Sequence, residues 1–326
     1  MLSGLGLDAP HGSCCNLISI SNAILPVFLA IGFGYVLARW NDSVSKSGKG
    51  LVKFVFWVAL PSMLFTKVID TSLPSEVPWH FLAAFYIPSI AIFFFGAFIA
   101  KRVFSWKQGE LGIAGVTCCY GNLALLGLPI ILNSFGPVFL TPALILIASQ
   151  STILFGLTIF WLEKKPDEPR FRNVLNLFVH KVLGNPIVLS LILGFLVNML
   201  EISVPSILRS SLDLFSIAAP GCSLFALGVC LAGYRLTLDN RTVLGFVVMR
   251  NFFHPLLVLG LCTFLDVSNH WKAVAVLFAA MPTGINAFIF AEQYELRQEA
   301  VSMTIILSTI VSMFTLTVLV YVFKVI

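Results

Sequence analysis

The chain has 326 residues, 58% of them hydrophobic and 11% charged, with a formal net charge of +5. A soluble domain carries about 25% charged residues, so the composition excludes an ordinary soluble enzyme and describes a protein that crosses the bilayer many times. The basic excess does not point to nucleic acid, because Lys and Arg fall in short connections between apolar runs.

Taken in chain order, ten apolar stretches are long enough for a hydrocarbon core of roughly 30 Å at about 1.5 Å per residue. They cover 18–39, 50–69, 80–101, 111–134, 139–162, 184–201, 208–233, 243–265, 271–292 and 300–323. No basic region precedes the first, so no signal peptide is expected. Of the seven cysteines, five lie in apolar stretches, where they serve as small apolar residues, and none shows metal-type spacing. With both termini outside, fifteen Lys and Arg face the cytoplasm, and only Lys67, Arg209, Lys272 and Lys324 face out. That asymmetry predicts the orientation. The hydrophilic connection starting at Glu163, with an interfacial amphipathic helix over 173–183, reads as a cytoplasmic linker at 163–183.

The fourth stretch carries Gly121, Asn122, Gly127 and Pro129 in its middle, and the ninth carries Met281, Pro282, Thr283, Gly284 and Asn286. Gly and Pro interrupt helices, and an unpaired backbone group in hydrocarbon costs several kcal/mol. Both stretches are therefore predicted to be broken helices lining a cavity. Shifting the chain by 159 residues pairs Phe56, Ala59 and Pro61 with Phe215, Ala218 and Pro220, and near 161 Gly121 and Asn122 fall on Pro282 and Thr283. Five spans per copy make the repeat inverted. The predicted fold is thus an all-α membrane protein of ten transmembrane helices. It is a 5+5 inverted repeat, 18–162 and 184–323, in which broken helices four and nine cross at mid-depth.

Helix N-termini at such breaks carry partial positive charge and unpaired N–H donors, which suits an anion. Gly121, Asn122, Pro282, Thr283, Asn286 and Gln150 are the candidate substrate-binding residues. Either asparagine could instead only cap its break. Within the polar run Ser149-Gln150-Ser151-Thr152, hydroxyls alone would suffice for helix packing. Arg250 in the eighth stretch either snorkels to the headgroups or lines the inner vestibule and attracts anions. His254 either relays protons or bonds to a neighbouring helix. Gly127, Pro129, Gly284, Pro61 and Pro220 are the break and kink positions.

No carboxylate lies at mid-depth, which argues against a sodium/proton antiporter. Outward movement of one negative charge gains about 2.3 kcal/mol per 100 mV of inside-negative potential, so an anion carrier needs no coupling ion. No nucleophile–base set, metal motif or phosphate loop is present, so neither enzyme activity nor a cofactor is expected.

The Gly121-Asn122 pair followed by Leu126-Gly127-Leu128-Pro129-Ile130, with Met281-Pro282, Asn286-Ala287-Phe288 and Ala291-Glu292-x-Tyr294, resembles the auxin efflux carrier family. That family includes the plant PIN proteins and bacterial relatives described as malonate or malate permeases. The resemblance spans nearly the whole chain. It implies a scaffold of segments one, two, six and seven, and a transport unit of three to five and eight to ten that moves as an elevator. It also implies a site lined by Asn122 and Asn286, and a homodimer. Gly121 stands where relatives often carry proline. The short linker lacks the long loop of many plant members, which favours a bacterial inner or plasma membrane protein. The function implied is secondary transport of a small organic anion of the auxin, malonate or malate type. Two alternatives stand beside it: a sodium- or proton-coupled symporter of the bile-acid type, and a non-transporting membrane receptor.

Overall fold

A computed structural model gives the fold and describes residues 12–70, 78–162, 184, 186–233 and 240–325. The expected linker and amphipathic helix over 163–183 lie outside the described residues. Among the described residues the protein is helical, and its only strand-like pairing is an isolated antiparallel bridge between Gly121 and Thr283.

The helices, in order, are α1 (Gly12–Trp40), α2 (Asp42–Phe54), α3 (Leu60–Ile69), α4 (Trp79–Arg102), α5 (Leu111–Cys119), α6 (Leu128–Phe135) and α7 (Leu140–Leu162). After these come α8 (Pro186–Met199), α9 (Ser206–Gly233), α10 (Asn240–Val248), α11 (His254–Phe264), α12 (Asn269–Ala279), α13 (Ile285–Gln293) and α14 (Gln298–Val325). Among the described residues six helical stretches are long and apolar enough to cross a membrane: Asp42–Ile69, Trp79–Arg102, Pro137–Leu162, Ser206–Gly233, Arg241–Phe264 and Gln298–Lys324. Leu25–Trp40, Leu123–Phe135 and Pro186–Met199 are shorter apolar stretches. Many large apolar side chains point outward, among them Leu29, Phe33, Ile207 and Ile217. Trp40 and Trp79 are exposed at helix ends, where interfacial tryptophans sit in membrane proteins.

Three wide, π-helical turns occur: Val55–Ala59 joins α2 to α3, Met249–Phe253 joins α10 to α11, and Leu123–Gly127 opens the stretch that continues as α6. Each is followed two residues later by proline: Pro61, Pro129 and Pro255. Proline lacks an N–H and its ring clashes with the carbonyl four residues back; the extra residue of a π turn moves that carbonyl aside. Pro129 therefore does not break its helix, contrary to expectation, and sits in the first turn of α6. Pro220, by contrast, lies inside the unbroken α9. The local irregularity at Pro61 has no counterpart there, although the two prolines align in sequence.

Packing sorts the helices into two groups. In one, α1, α2, α3, α8 and α9 pack mainly on one another; in the other, α4, α5, α7 and α10 to α14 do so, and α6 packs on α1 and α7, between the two. In the first group α1 and α9 make the most extensive contact. A Cβ at Gly34 would strike the Phe225 carbonyl, and one at Gly228 would strike the backbone of Ile31 and Tyr35. Close backbone approach at small residues replaces the hydrophobic drive that is missing between helices in lipid.

At one end of the second group, Arg297 bonds Glu110 at 2.9 Å and its guanidinium lies 4.9 Å from the Trp106 ring centre. Burial alone would raise the Glu110 carboxyl. The hydrogen bond from Arg297 and that from the Lys107 main chain outweigh it and hold the group below its ordinary value of 4.5. A depressed acid stabilises the fold above its unfolded value, and that contribution disappears as pH falls through the folded one. The thermal midpoint of the purified protein should fall as pH drops below about 4.5, and the Glu110→Gln variant should lose part of that acid-side slope.

Candidate functional site

The two interrupted stretches meet. Helix α5 ends at Cys119, Tyr120 is extended, and the chain turns helical again at Leu123. Helix α12 ends at Ala279, and α13 starts at Ile285 after Gly284 in extended conformation. Between these ends the Asn122 N–H donates to the Pro282 carbonyl at 3.0 Å, and the Gly284 N–H donates to the Tyr120 carbonyl at 2.9 Å. Each break thus satisfies the backbone of the other where no water is available. A Cβ on Gly284 would lie 2.8 Å from Tyr120 Cδ1 and 3.1 Å from the Gly121 carbonyl, so the close approach requires glycine. Gly127 packs its bare face on the Phe278 ring.

A cavity of about 210 Å³ opens on one side of this junction. Its wall takes the first turns of both resumed helices (Leu123 to Leu125, and Gly284 to Asn286), with Tyr120, Gly121, Asn122 and Gln150. The opposite wall is Val52, Lys53, Phe56, Trp57 and Leu60 of the other packing group, with Ile187. It is smaller than the roughly 300–1,000 Å³ typical of drug-sized ligand pockets, a size suited to a small solute.

The polar groups on this wall differ in their commitments. Gln150, 2% exposed, donates its Nε2 to the Gly121 carbonyl at 2.9 Å, which orients the amide and leaves Oε1 without a partner. Asn122 is 6% exposed, and its Nδ2 also has none. Its side chain makes no capping bond, so capping does not account for it. Asn286 donates its Nδ2 to the Tyr120 hydroxyl at 2.9 Å, and Tyr120 stacks on Phe155 at 5.1 Å. Ser149 bonds the Tyr86 hydroxyl and the Ile145 carbonyl, the helix-packing role anticipated for that cluster; the side chains of Ser151 and Thr152 lie outside the described residues.

Four candidate residues, Gly121, Asn122, Gln150 and Asn286, therefore share one cavity. Two do not reach it. Thr283 is fully buried, its hydroxyl donating to the Thr117 carbonyl and its N–H to Ser308 Oγ. Pro282 contributes only its carbonyl to the pairing. Both side chains are buried away from the cavity.

Arg250 corrects both of its sequence readings. It neither snorkels nor lines a vestibule: it is 0% exposed and absent from the cavity wall. Nε donates to the Met281 carbonyl at 2.8 Å, Nη1 to the Cys119 carbonyl at 2.7 Å and Nη2 to the Phe278 carbonyl at 3.2 Å. His254 is equally buried, its Nδ1 2.7 Å from Arg250 Nη1 and its Nε2 2.9 Å from Ser89 Oγ on α4. A guanidinium only donates, so Nδ1 accepts and Nε2–H donates to Ser89, whose own hydroxyl donates to the Phe85 carbonyl. His254 thus ties a neighbouring helix, and no chain of groups leads from it to the cavity.

The chain matches the membrane transport protein family over residues 19–320. It belongs to that family, the one that contains the auxin efflux carriers. A candidate malonate transporter of Rhizobium meliloti is 26% identical over 94% of this chain and 97% of its own length. A lysosomal cholesterol signaling protein of Mus musculus is 28% identical over 94% of this chain, which spans 37% of that longer protein. Auxin efflux carrier component 5 of Arabidopsis thaliana is 22% identical over 92% of this chain and 95% of its own.

Two further residues line this cavity beyond those the sequence singles out, Lys53 and Tyr120. Lys53 was grouped with the inner loop charges, although it lies one turn from Trp57 and Phe56, which face the same cavity. Tyr120, beside the break, carries the hydroxyl that engages Asn286. The tight junction gives a direct expectation. Gly284→Ala should lower stability by about 1–3 kcal/mol through overpacking, whereas Gly260→Ala, with nothing within 4 Å, should be neutral or slightly stabilising. Thermal unfolding of the two purified variants separates them.

Proposed function

We propose that the chain is a secondary transporter that moves a small organic anion, a carboxylate of the malonate, malate or auxin type, by alternating access. One observation carries this reading. Two helix N-termini open onto a single small cavity that is also lined by Asn122 and Gln150, whose amides each keep one buried atom without a partner. Helix N-termini attract anions, and the Lys53 ammonium on the facing wall adds a mobile positive charge. The names of the Rhizobium and Arabidopsis relatives support the substrate class.

In this reading residues 18–162 and 184–323 are the two copies of a ten-helix, 5+5 inverted repeat, and the paired breaks are its crossing helices. The matched interruptions, about 160 residues apart, support it. The cavity wall drawn from both packing groups supports an elevator-like slide of one group past the other. The Lys and Arg distribution supports both termini outside, in a bacterial inner or plasma membrane. The homodimer remains an inference from the resemblance.

Uptake of labelled malonate, malate and auxin into proteoliposomes at set membrane potentials tests the proposal. At least one of these anions should be carried, with flux that follows the potential and persists when choline replaces sodium. Asn122→Ala and Gln150→Ala should each lower uptake efficiency about tenfold, equivalent to roughly 1.4 kcal/mol. A folded Asn122→Ala, Asn286→Ala double variant with normal flux would remove the site assignment, and flux of every anion independent of voltage would remove the electrogenic step. Sodium-dependent uptake would favour the bile-acid-type symporter. The likeness to a signaling protein favours the receptor reading as the second choice; it predicts thermal stabilisation by a ligand without any flux.

A further inference from the structure

Arg250 presents an energetic problem. A fully buried cation is costly unless paired and hydrogen-bonded, and among the described residues the ion pairs are Lys46–Asp42, Arg209–Asp70 and Arg297–Glu110, with no carboxylate on Arg250. Besides His254 Nδ1, its partners are main-chain carbonyls at two helix ends: Cys119, the last residue of α5, and Phe278 and Met281, at and just beyond the end of α12. Each helix C-terminus is equivalent to roughly half a negative charge. Two of them facing one guanidinium come to about one unit, so the cluster is close to neutral without an acid.

The fit is also steric. A Cβ on Gly121 would collide with the Arg250 guanidinium. Glycine at the first break therefore leaves the space that the cation occupies. The carbonyls that Arg250 holds flank the linkers Tyr120–Asn122 and Pro282–Gly284, whose other side faces the cavity.

We infer that Arg250 is the positioning residue of the pocket: a resident cation that clamps the C-terminal ends of α5 and α12 together and so sets the spacing of the two cavity-lining first turns. It touches no solute. Lysine does not replace it, because one ammonium cannot span carbonyls that guanidinium reaches from three separate nitrogens.

A double-mutant cycle on thermal unfolding tests the clamp without reference to transport. Gly121→Ala should lower the melting point by several degrees in the native protein and by almost nothing alongside Arg250→Ala. Additive losses would overturn the assignment, because coupling is the signature of shared space. If Arg250→Ala does not accumulate, Arg250→Met takes its place in the cycle under the same criterion. A second arm, which rests on the proposed transport function, measures uptake by Arg250→Ala with millimolar guanidinium, and with urea as its neutral isostere. Guanidinium should return the raised KM to within about threefold of native and restore the melting point; urea should do neither. Equal effects of the two solutes, or native KM in Arg250→Ala, would overturn the positioning role. Coupling in the cycle with no measurable uptake in the native protein would leave the clamp standing and count against the transport reading instead.

Discussion

The structure depends on two backbone hydrogen bonds between chain segments about 160 residues apart, Asn122 N–H to the Pro282 carbonyl and Gly284 N–H to the Tyr120 carbonyl. A helix that stops inside a hydrophobic slab exposes donors and acceptors that lipid cannot satisfy. Here each interruption supplies what the other lacks. The arrangement is reciprocal, so neither break could persist alone, and the helices that carry them are obliged to sit in contact. Within the second packing group α4, α11 and α12 pack on one another, α13 packs on α14 and α5, and α7 packs on α5 and α12.

Around the junction, polar groups divide by face. The buried side takes the fixed ones: Arg250 on carbonyls, His254 on Ser89, Thr283 on Thr117 and Ser308. Two residues that line the cavity, Gln150 and Asn122, each keep a buried amide atom without a partner, Oε1 and Nδ2. This follows from the polarity of helices. C-terminal carbonyl ends point to the interior and call for donors, so a guanidinium serves them. N-terminal turns point to the cavity and offer donors, so an acceptor-rich solute complements them. One junction therefore carries a buried guanidinium on one side and a cavity lined by two helix N-termini on the other.

The same pattern explains which local sequence rules held. Pro61, Pro129 and Pro255 each follow a π turn, which lets a helix continue past a residue that normally stops it. Pro129 was read as part of the break because its local chemistry is that of a breaker. The actual interruption is only Tyr120 to Asn122, and it pairs with a longer partner linker over 280–284. Arg250 was misplaced for a related reason. Depth along a span suggested a charge seeking the headgroups, and no acidic partner was in sight. The clue was that absence itself, since a mid-span cation without a carboxylate needs helix C-termini.

By itself the sequence determined the membrane class, the positions of most helices and the two interruptions, because these rest on apolar run length and on Gly and Pro chemistry local to each segment. It also singled out Gly121, Asn122, Gln150 and Asn286, since amides and glycines beside a broken helix are costly without a purpose. Only the tertiary structure decided that Thr283 faces inward, that Lys53 and Tyr120 join the cavity, and that Arg250 is buried against main-chain carbonyls. Those outcomes depend on which face of one linker meets another a hundred and sixty residues away, and no local periodicity encodes that contact.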